Sequence, residues 1–138
     1  VELEVEAKDL VATYIEEVWN RGNLEALADL TTRDFSYHFG GQPPRDLSGM
    51  EQFIAGTREA FPDWRVAIES IVGDELSVAV RWSGEVTHLG AFHGAPPTGR
   101  KVSVSGVNFY RIENGKVAQE WEQMDSLGML GQLGILPT

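Results

Sequence analysis

Between Lys101 and Asp125 the chain is committed to a long antiparallel hairpin, and this stretch constrains the fold more than any other. Val102, Val104, Val107, Phe109, Tyr110 and Ile112 supply β-branched and aromatic residues. Asn114-Gly115 supplies the two positive-φ positions of a type I′ turn, and Val117 to Met124 returns. With Glu113 and Lys116 flanking the turn, the register sets Asn108 opposite Trp121 and Val104 opposite Asp125. One face then carries Val104, Gly106, Asn108, Tyr110, Ile112, Val117, Gln119, Trp121, Gln123 and Asp125. The other carries Ser103, Ser105, Val107, Phe109 and Arg111 with Ala118, Glu120, Glu122 and Met124. The first face mixes aromatics, amides and a carboxylate. A plain core has few such groups, because each needs a partner once buried, whereas a ligand pocket has this mixture.

A chain of 138 residues is long enough for one compact domain with a real core, expected over residues 1–138, and too short for two. Hydrophobic content of 42% and charged content of 23% fit a soluble globular protein. No run approaches the ~20 apolar residues that span a bilayer, and no secretory leader pattern is present. The sequence contains no cysteine, which removes disulfides, thiol nucleophiles and thiolate metal sites together and accords with an expected cytoplasmic setting. The formal net charge of -10 argues against nucleic acid and anionic membranes as partners, since both select basic patches.

Upstream, Leu10, Val11, Tyr14, Ile15, Val18 and Trp19 fall at helical spacing. Gly22 suits the end of that helix and Asn23 the cap of the next, which holds Leu24, Leu27 and Leu30. Phe35 to Phe39 reads as a short strand, followed by a Gly/Pro loop. Ser48 and Glu51 form a capping box that predicts a third helix burying Phe53, Ile54 and Thr57 and ending before Pro62. Trp64 to Val72 and Leu76 to Val86 alternate as strands, and a Gly/Pro loop over residues 88–99 leads into the hairpin. After Asp125, Leu127, Leu130 and Leu133 predict a last helical turn or two. The order predicts an α+β fold, with helices covering one face of a curved antiparallel sheet and a cavity between them.

Several stretches together resemble the SnoaL-like polyketide cyclases, or ester cyclases, of the nuclear transport factor 2-like fold. They are Tyr14-Ile15-Glu16-Glu17-Val18-Trp19-Asn20-Arg21-Gly22-Asn23, Phe61-Pro62-Asp63-Trp64, Val80-Arg81-Trp82, and the loop from Thr87-His88 through Pro96-Pro97-Thr98-Gly99. The ending adds Gly115-Lys116-Val117, Trp121, Asp125, Leu127-Gly128 and Gln132-Leu133-Gly134. The resemblance implies a cone-shaped α+β barrel packed by N-terminal helices around one deep pocket. It also implies ring closure of a polyketide by intramolecular aldol condensation, through acid–base chemistry without metal or organic cofactor. Cofactor-free hydroxylases share the fold.

The resemblance places the general acid–base role at Asp125, which is equally a good cap for the C-terminal helix. It also implies a role for His38, either polarising a carbonyl or pairing with Asp125; the alternative is a hydrogen-bonded histidine at the cavity rim. His88 is expected to fix its loop through backbone hydrogen bonds, and His93 has a weaker claim to a role. On the residues themselves, Asn108 and Gln123 on the mixed face can donate to an enolate or carbonyl oxygen, or pair privately within the sheet. Tyr14, Trp19, Trp82, Tyr110 and Trp121 are candidate apolar walls for a flat substrate, or ordinary core. Arg81 is expected in a surface or inter-strand contact. Three scattered histidines make no metal set, and no phosphate loop or nucleophile elbow is present. Fold relatives that hydrate epoxides carry an Arg-x-Asp strand motif, which is absent here.

The expected function is therefore a cofactor-independent, polyketide cyclase-like enzyme acting on a hydrophobic, polycyclic or polyketide-like small molecule. The alternatives are a small-molecule-binding domain without catalysis, and a cofactor-free hydroxylase or isomerase. A homodimer through Val107, Phe109 and Met124 on the outward hairpin face is also expected.

Overall fold

The computed structural model describes residues 2–135; residue 1 and residues 136–138 of the expected domain lie outside the described residues. The amphipathic opening forms α1 (Glu2–Tyr14) and runs directly into a π-helical turn over Ile15–Asn20. The wider turn changes the angle between successive side chains, and Tyr14, Ile15, Val18 and Trp19 are all buried there. Asn23 caps α2 (Leu24–Leu30) as expected, its Oδ1 accepting from the Ala26 N–H at 3.3 Å. β1 (Thr31–Phe39) begins four residues before the expected Phe35. In α3 (Leu47–Ala60) the cap is Asp46, whose carboxylate accepts from the Gly49 N–H at 2.9 Å, so the helix starts ahead of the Ser48 capping box.

The remaining elements are β2 (Ala67–Gly73), β3 (Ser77–Thr87), β4 (Lys101–Glu113), β5 (Lys116–Met124) and α4 (Ser126–Leu133). The sheet order is β1-β5-β4-β3-β2. Strands β2 to β5 form the expected antiparallel meander, but β1 joins β5 in parallel, so the sheet is mixed rather than wholly antiparallel. A parallel pair needs a long connection, and everything from α3 to β4 lies between these two strands. Val11, Val18, Leu27, Phe35, Ile54 and Val80 fill the space between helices and sheet. Asn20 locks the π-helical turn to the sheet: it donates to the Val66 carbonyl at 3.0 Å and accepts from the Val66 N–H at 2.9 Å.

The hairpin turn is as expected, with Asn114 and Gly115 at φ 52° and 72°. The register beyond it is not. Ile112 pairs with Val117 but Arg111 pairs with Gln119, which leaves Ala118 as an unpaired bulge residue. The adjacent Val117 and Ala118 are both buried, and every later residue of β5 is turned to the opposite face. Asn108 therefore lies opposite Glu122, not Trp121. Glu120, Glu122 and Met124 point inward, and Trp121 and Gln123 point outward. β1 breaks its own register between Thr31 and Ser36, against the same stretch of β5.

α4 closes the far end. β5 pairs with β4 only as far as Gly106, so the start of β4 has a free edge. The Gln132 amide occupies it, accepting from the Ser103 N–H at 2.8 Å and donating to the Ser103 carbonyl at 3.0 Å. This seats Met129 and Leu130 of α4 against the interior cavity. Among the described residues no helix is long and apolar enough to cross a membrane.

Candidate active site

The bulge brings two carboxylates into the interior. Glu120 and Glu122 are both buried on the concave face, a costly placement unless donors surround them. The helices and β1 supply those donors. The Tyr14 hydroxyl donates to Glu120 Oε1 at 2.6 Å, and the Trp19 indole N–H reaches Oε2 at 3.4 Å. The Tyr37 hydroxyl, from β1, donates to Glu122 Oε1 at 2.8 Å. Asn108 Nδ2 bridges the pair, 2.7 Å from Glu120 Oε2 and 3.3 Å from Glu122 Oε1.

The orientation of Asn108 is fixed from behind. The Trp82 indole N–H, which can only donate, lies 2.8 Å from Asn108 Oδ1. The oxygen must therefore face Trp82, and the amide hydrogens must face the carboxylates. Gly106 makes this contact possible: a Cβ there would sit 2.6 Å from Trp82 Cζ2.

Burial raises both carboxyl groups above the usual range. For Glu122 burial acts first and the neighbouring Glu120 charge second, against the opposing hydrogen bonds of Tyr37 and Asn108; the result is a shift from 4.5 to about 7. Glu120 has more donors, from Tyr14, Asn108, Tyr110 and Trp19, which oppose the effect of its burial. Burial, followed by the nearby carboxylates, pushes the Tyr14, Tyr37 and Tyr110 hydroxyls well above their ordinary values. These groups remain protonated donors across the neutral range.

Glu122 lines an apolar cavity with Trp19, Phe53, Phe61, Trp64 and Phe92, closed further by Met124 and Met129. Both hydrogen bonds to Glu122 fall on Oε1; Oε2 accepts none among the described residues. A smaller cavity shares Trp19, Trp64 and Glu122 and adds Trp82, Asn108 and Tyr110. A carboxyl group titrating near neutrality, with one oxygen unengaged in an aromatic cavity, can take a proton from a weak carbon acid and return it. Among the described residues no three His, Asp or Glu side chains are grouped to hold a metal ion.

Of the residues singled out in the sequence, Asn108, Tyr14, Trp19, Trp82 and Tyr110 meet at this network. The others lie elsewhere. Asp125 is exposed and caps α4, accepting from the Gly128 N–H at 2.9 Å. His38 lies on the outer face, stacked on Trp121 with ring centroids 5.1 Å apart and bonded to the Ser36 hydroxyl. Gln123 is exposed beside them. The register explains Trp121 and Gln123; His38 is out because its neighbours Tyr37 and Phe39 are in.

The buried His88 holds its loop: Nδ1 accepts from the Thr98 N–H at 3.1 Å, and the backbone bonds Arg100 and Gly99. His93 reaches the cavity lining from that loop. Glu120, Glu122, Tyr37 and Trp64 are the site residues the sequence reading did not place in the cavity. The adjacent apolar pair Val117-Ala118 is the one local signal of the bulge that brings the glutamates inside.

Residues 9–133 match the family profile described as SnoaL-like polyketide cyclase. The chain is 28% identical over 131 residues to aklanonic acid methyl ester cyclase DauD of Streptomyces sp. (strain C5), covering 91% of this chain and 80% of that one. Among solved structures, AclR, a hydroxylase candidate from Streptomyces galilaeus, superposes with a TM-score of 0.85 at 30% identity, over 98% of this chain and 89% of that one. IdmH, a polyketide cyclase candidate from Streptomyces antibioticus, gives a TM-score of 0.81 at 32% identity, over 93% and 98%. The chain belongs to the SnoaL-like polyketide cyclase family and has its nuclear transport factor 2-like α+β fold.

Proposed function

We propose that this chain is a cofactor-independent cyclase that closes a ring in an enolisable, polyketide-like substrate by an intramolecular aldol reaction. The single observation that carries this reading is Glu122, a buried carboxyl group raised to about 7 that lines an aromatic cavity. Oε2 of the ionised group removes a proton from the carbon next to a carbonyl. The resulting enolate carbon attacks a second carbonyl of the same molecule, forming the C–C bond, and the new alkoxide takes the proton back from Glu122. Glu120 stays ionised in its ring of donors and sets the Glu122 proton affinity. The cavity holds the chain in a folded conformer, which converts an improbable encounter into a local one worth several kcal/mol. The acid–base role placed at Asp125 by resemblance passes in this reading to Glu122, and Asp125 keeps its capping role.

Exchange of the α protons of 1-tetralone in D2O, followed by mass spectrometry, tests the base directly. The protein should accelerate deuterium uptake, and Glu122→Gln should lower that rate about 10²–10⁴-fold. Equal rates would refute the reading and favour a binding domain without catalysis. We further propose a homodimer through the outer sheet face, where Val107 and Phe109 remain 49% and 45% exposed beside Trp121 and His38. Met124, expected there, lies inside instead. A monomer by light scattering at tens of micromolar would reject the dimer.

A further inference from the structure

The cavity that holds Glu122 is graded from floor to rim. Trp19, Phe61, Glu122 and Met129 of its lining are buried, whereas Gln42 and His93 are exposed. The end by which a substrate enters is therefore polar. Besides Glu122, four polar side chains line this cavity: Gln42, Thr57, His93 and Ser126. The Thr57 hydroxyl donates to the Phe53 carbonyl at 2.9 Å, within its own helix. The Ser126 hydroxyl can donate or accept, and so can an imidazole such as that of His93. Gln42 differs from these, because its surroundings fix what it can offer.

The backbone around Gln42 is tied down on both sides. At the end of β1 Gly40 takes φ 52°, its N–H donates to the Glu122 carbonyl at 3.0 Å, and the Gln42 N–H donates to the Phe39 carbonyl at 3.0 Å. Pro43 and Pro44 follow, each with φ set by its ring. Arg45 then returns to β1 and exchanges both backbone hydrogen bonds with Tyr37, at 2.8 and 2.9 Å. Its guanidinium lies over the Phe53 ring, 4.4 Å from the centroid, and Nη2 donates to Gln42 Oε1 at 2.9 Å. A guanidinium has donors and no acceptor, so the Gln42 oxygen must face Arg45. The amide hydrogens find no acceptor among the described residues, and they are what this side chain has left for a ligand. Arg45 has no carboxylate partner among the described residues, and the neighbouring Asp46 is engaged as the cap of α3. A positive charge thus stands behind the amide and favours an acceptor oxygen in front of it.

We infer that the Gln42 amide, oriented by Arg45, is the hydrogen-bond donor at the cavity rim for a second oxygen of the substrate, on the end remote from the carbonyl beside Glu122. The ligand class is an aromatic ketone with a distal acceptor oxygen: an ether, an ester or a second carbonyl. Gln42 touches the ligand and Arg45 is a positioning residue. Together they select which end of the molecule enters first, since the end without a distal acceptor gains nothing at the rim. The inference rests on the proposed use of this cavity as the substrate site; it does not require Glu122 to be the base.

Two probes test it, 1-tetralone and 6-methoxy-1-tetralone, which adds an acceptor oxygen at the far end of the ring. In 15N-labelled protein the Gln42 side-chain amide signals, assigned by their loss in Gln42→Met, should move downfield with the methoxy probe and little with 1-tetralone. Wild type should bind the methoxy probe about 2- to 10-fold more tightly than 1-tetralone, the range for one added hydrogen bond. That preference should vanish in Gln42→Met and in Arg45→Met. Arg45→Lys still presents donors alone to the amide oxygen and should restore it, which a merely structural role for Arg45 would not predict. Unmoved amide signals, a preference that survives Gln42→Met or Arg45→Met, or failure of both probes to bind would each overturn the inference. Deuterium exchange that is equally slow in wild type and Glu122→Gln would sink the base instead, and the Gln42 signals would still decide for or against the rim donor.

Discussion

A Glu122 carboxyl raised to about 7 must make the fold less stable as pH rises from mild acid to neutrality, and the size of the effect follows from the site. In the unfolded chain this carboxyl titrates at its ordinary 4.5; in the folded protein burial and the Glu120 charge raise it to about 7. Between those values the folded state binds a proton that the unfolded state has released, so stability falls as pH rises. Below pH 4.5 the contribution is fully present, and above about 7 it is lost. At ~1.36 kcal/mol for each pH unit of that gap, the loss is about 3 kcal/mol. Glu120 is raised by the same burial and acts in the same direction. The lowered Asp63, Asp74 and Glu16 act with opposite sign, but in a window below their ordinary 3.8 to 4.5. Urea denaturation at pH 5 and pH 8 should show wild type losing on the order of 3 kcal/mol, while Glu122→Gln loses much less and is the more stable of the two at pH 8. Parallel losses in the two proteins would refute the reasoning.

Three further substitutions probe separate parts of the site. Tyr37→Phe removes a hydrogen bond that holds the Glu122 carboxyl down, so the pH profile of tetralone exchange should shift to higher pH, with a lower rate at neutrality. Asp125→Ala should cost about 1 kcal/mol by urea denaturation through loss of the α4 cap and leave the exchange rate unchanged. Gly106→Ala puts a methyl 2.6 Å from Trp82 Cζ2 and 2.7 Å from the Gln123 carbonyl oxygen; it should cost roughly 1–3 kcal/mol, and exchange should slow because Trp82 no longer fixes Asn108.

The order of elements was legible in the sequence because each carries a local signal: helical spacing in α1, the Asn23 cap, the Asn114-Gly115 turn. The contribution of β4 to the site was legible for the same reason, since Asn108 and Tyr110 alternate cleanly inward with no irregularity between them and their partners on β3. The contribution of β5 was not. Its two faces, Gln119, Trp121 and Gln123 against Ala118, Glu120, Glu122 and Met124, are both polar enough that alternation alone does not choose, and one unpaired residue at Ala118 decides. Burying two glutamates is favourable only with Tyr14, Tyr37 and Asn108 already gathered, from three elements far apart in sequence. The same long-range dependence hid Tyr37, whose neighbour His38 drew attention through the family resemblance. Asp125 was weighed between two roles, and the structure places it as the cap of α4.

The account stands or falls on the proton affinity of one side chain. Protein labelled with 13C at the glutamate carboxyl carbon, with the Glu122 signal assigned by its absence in Glu122→Gln, gives that affinity directly by NMR titration. The account predicts a midpoint near 7 for Glu122, well separated from the exposed glutamates. A midpoint at the ordinary 4.5 would mean that the carboxylate is solvated and unable to act as the proposed base.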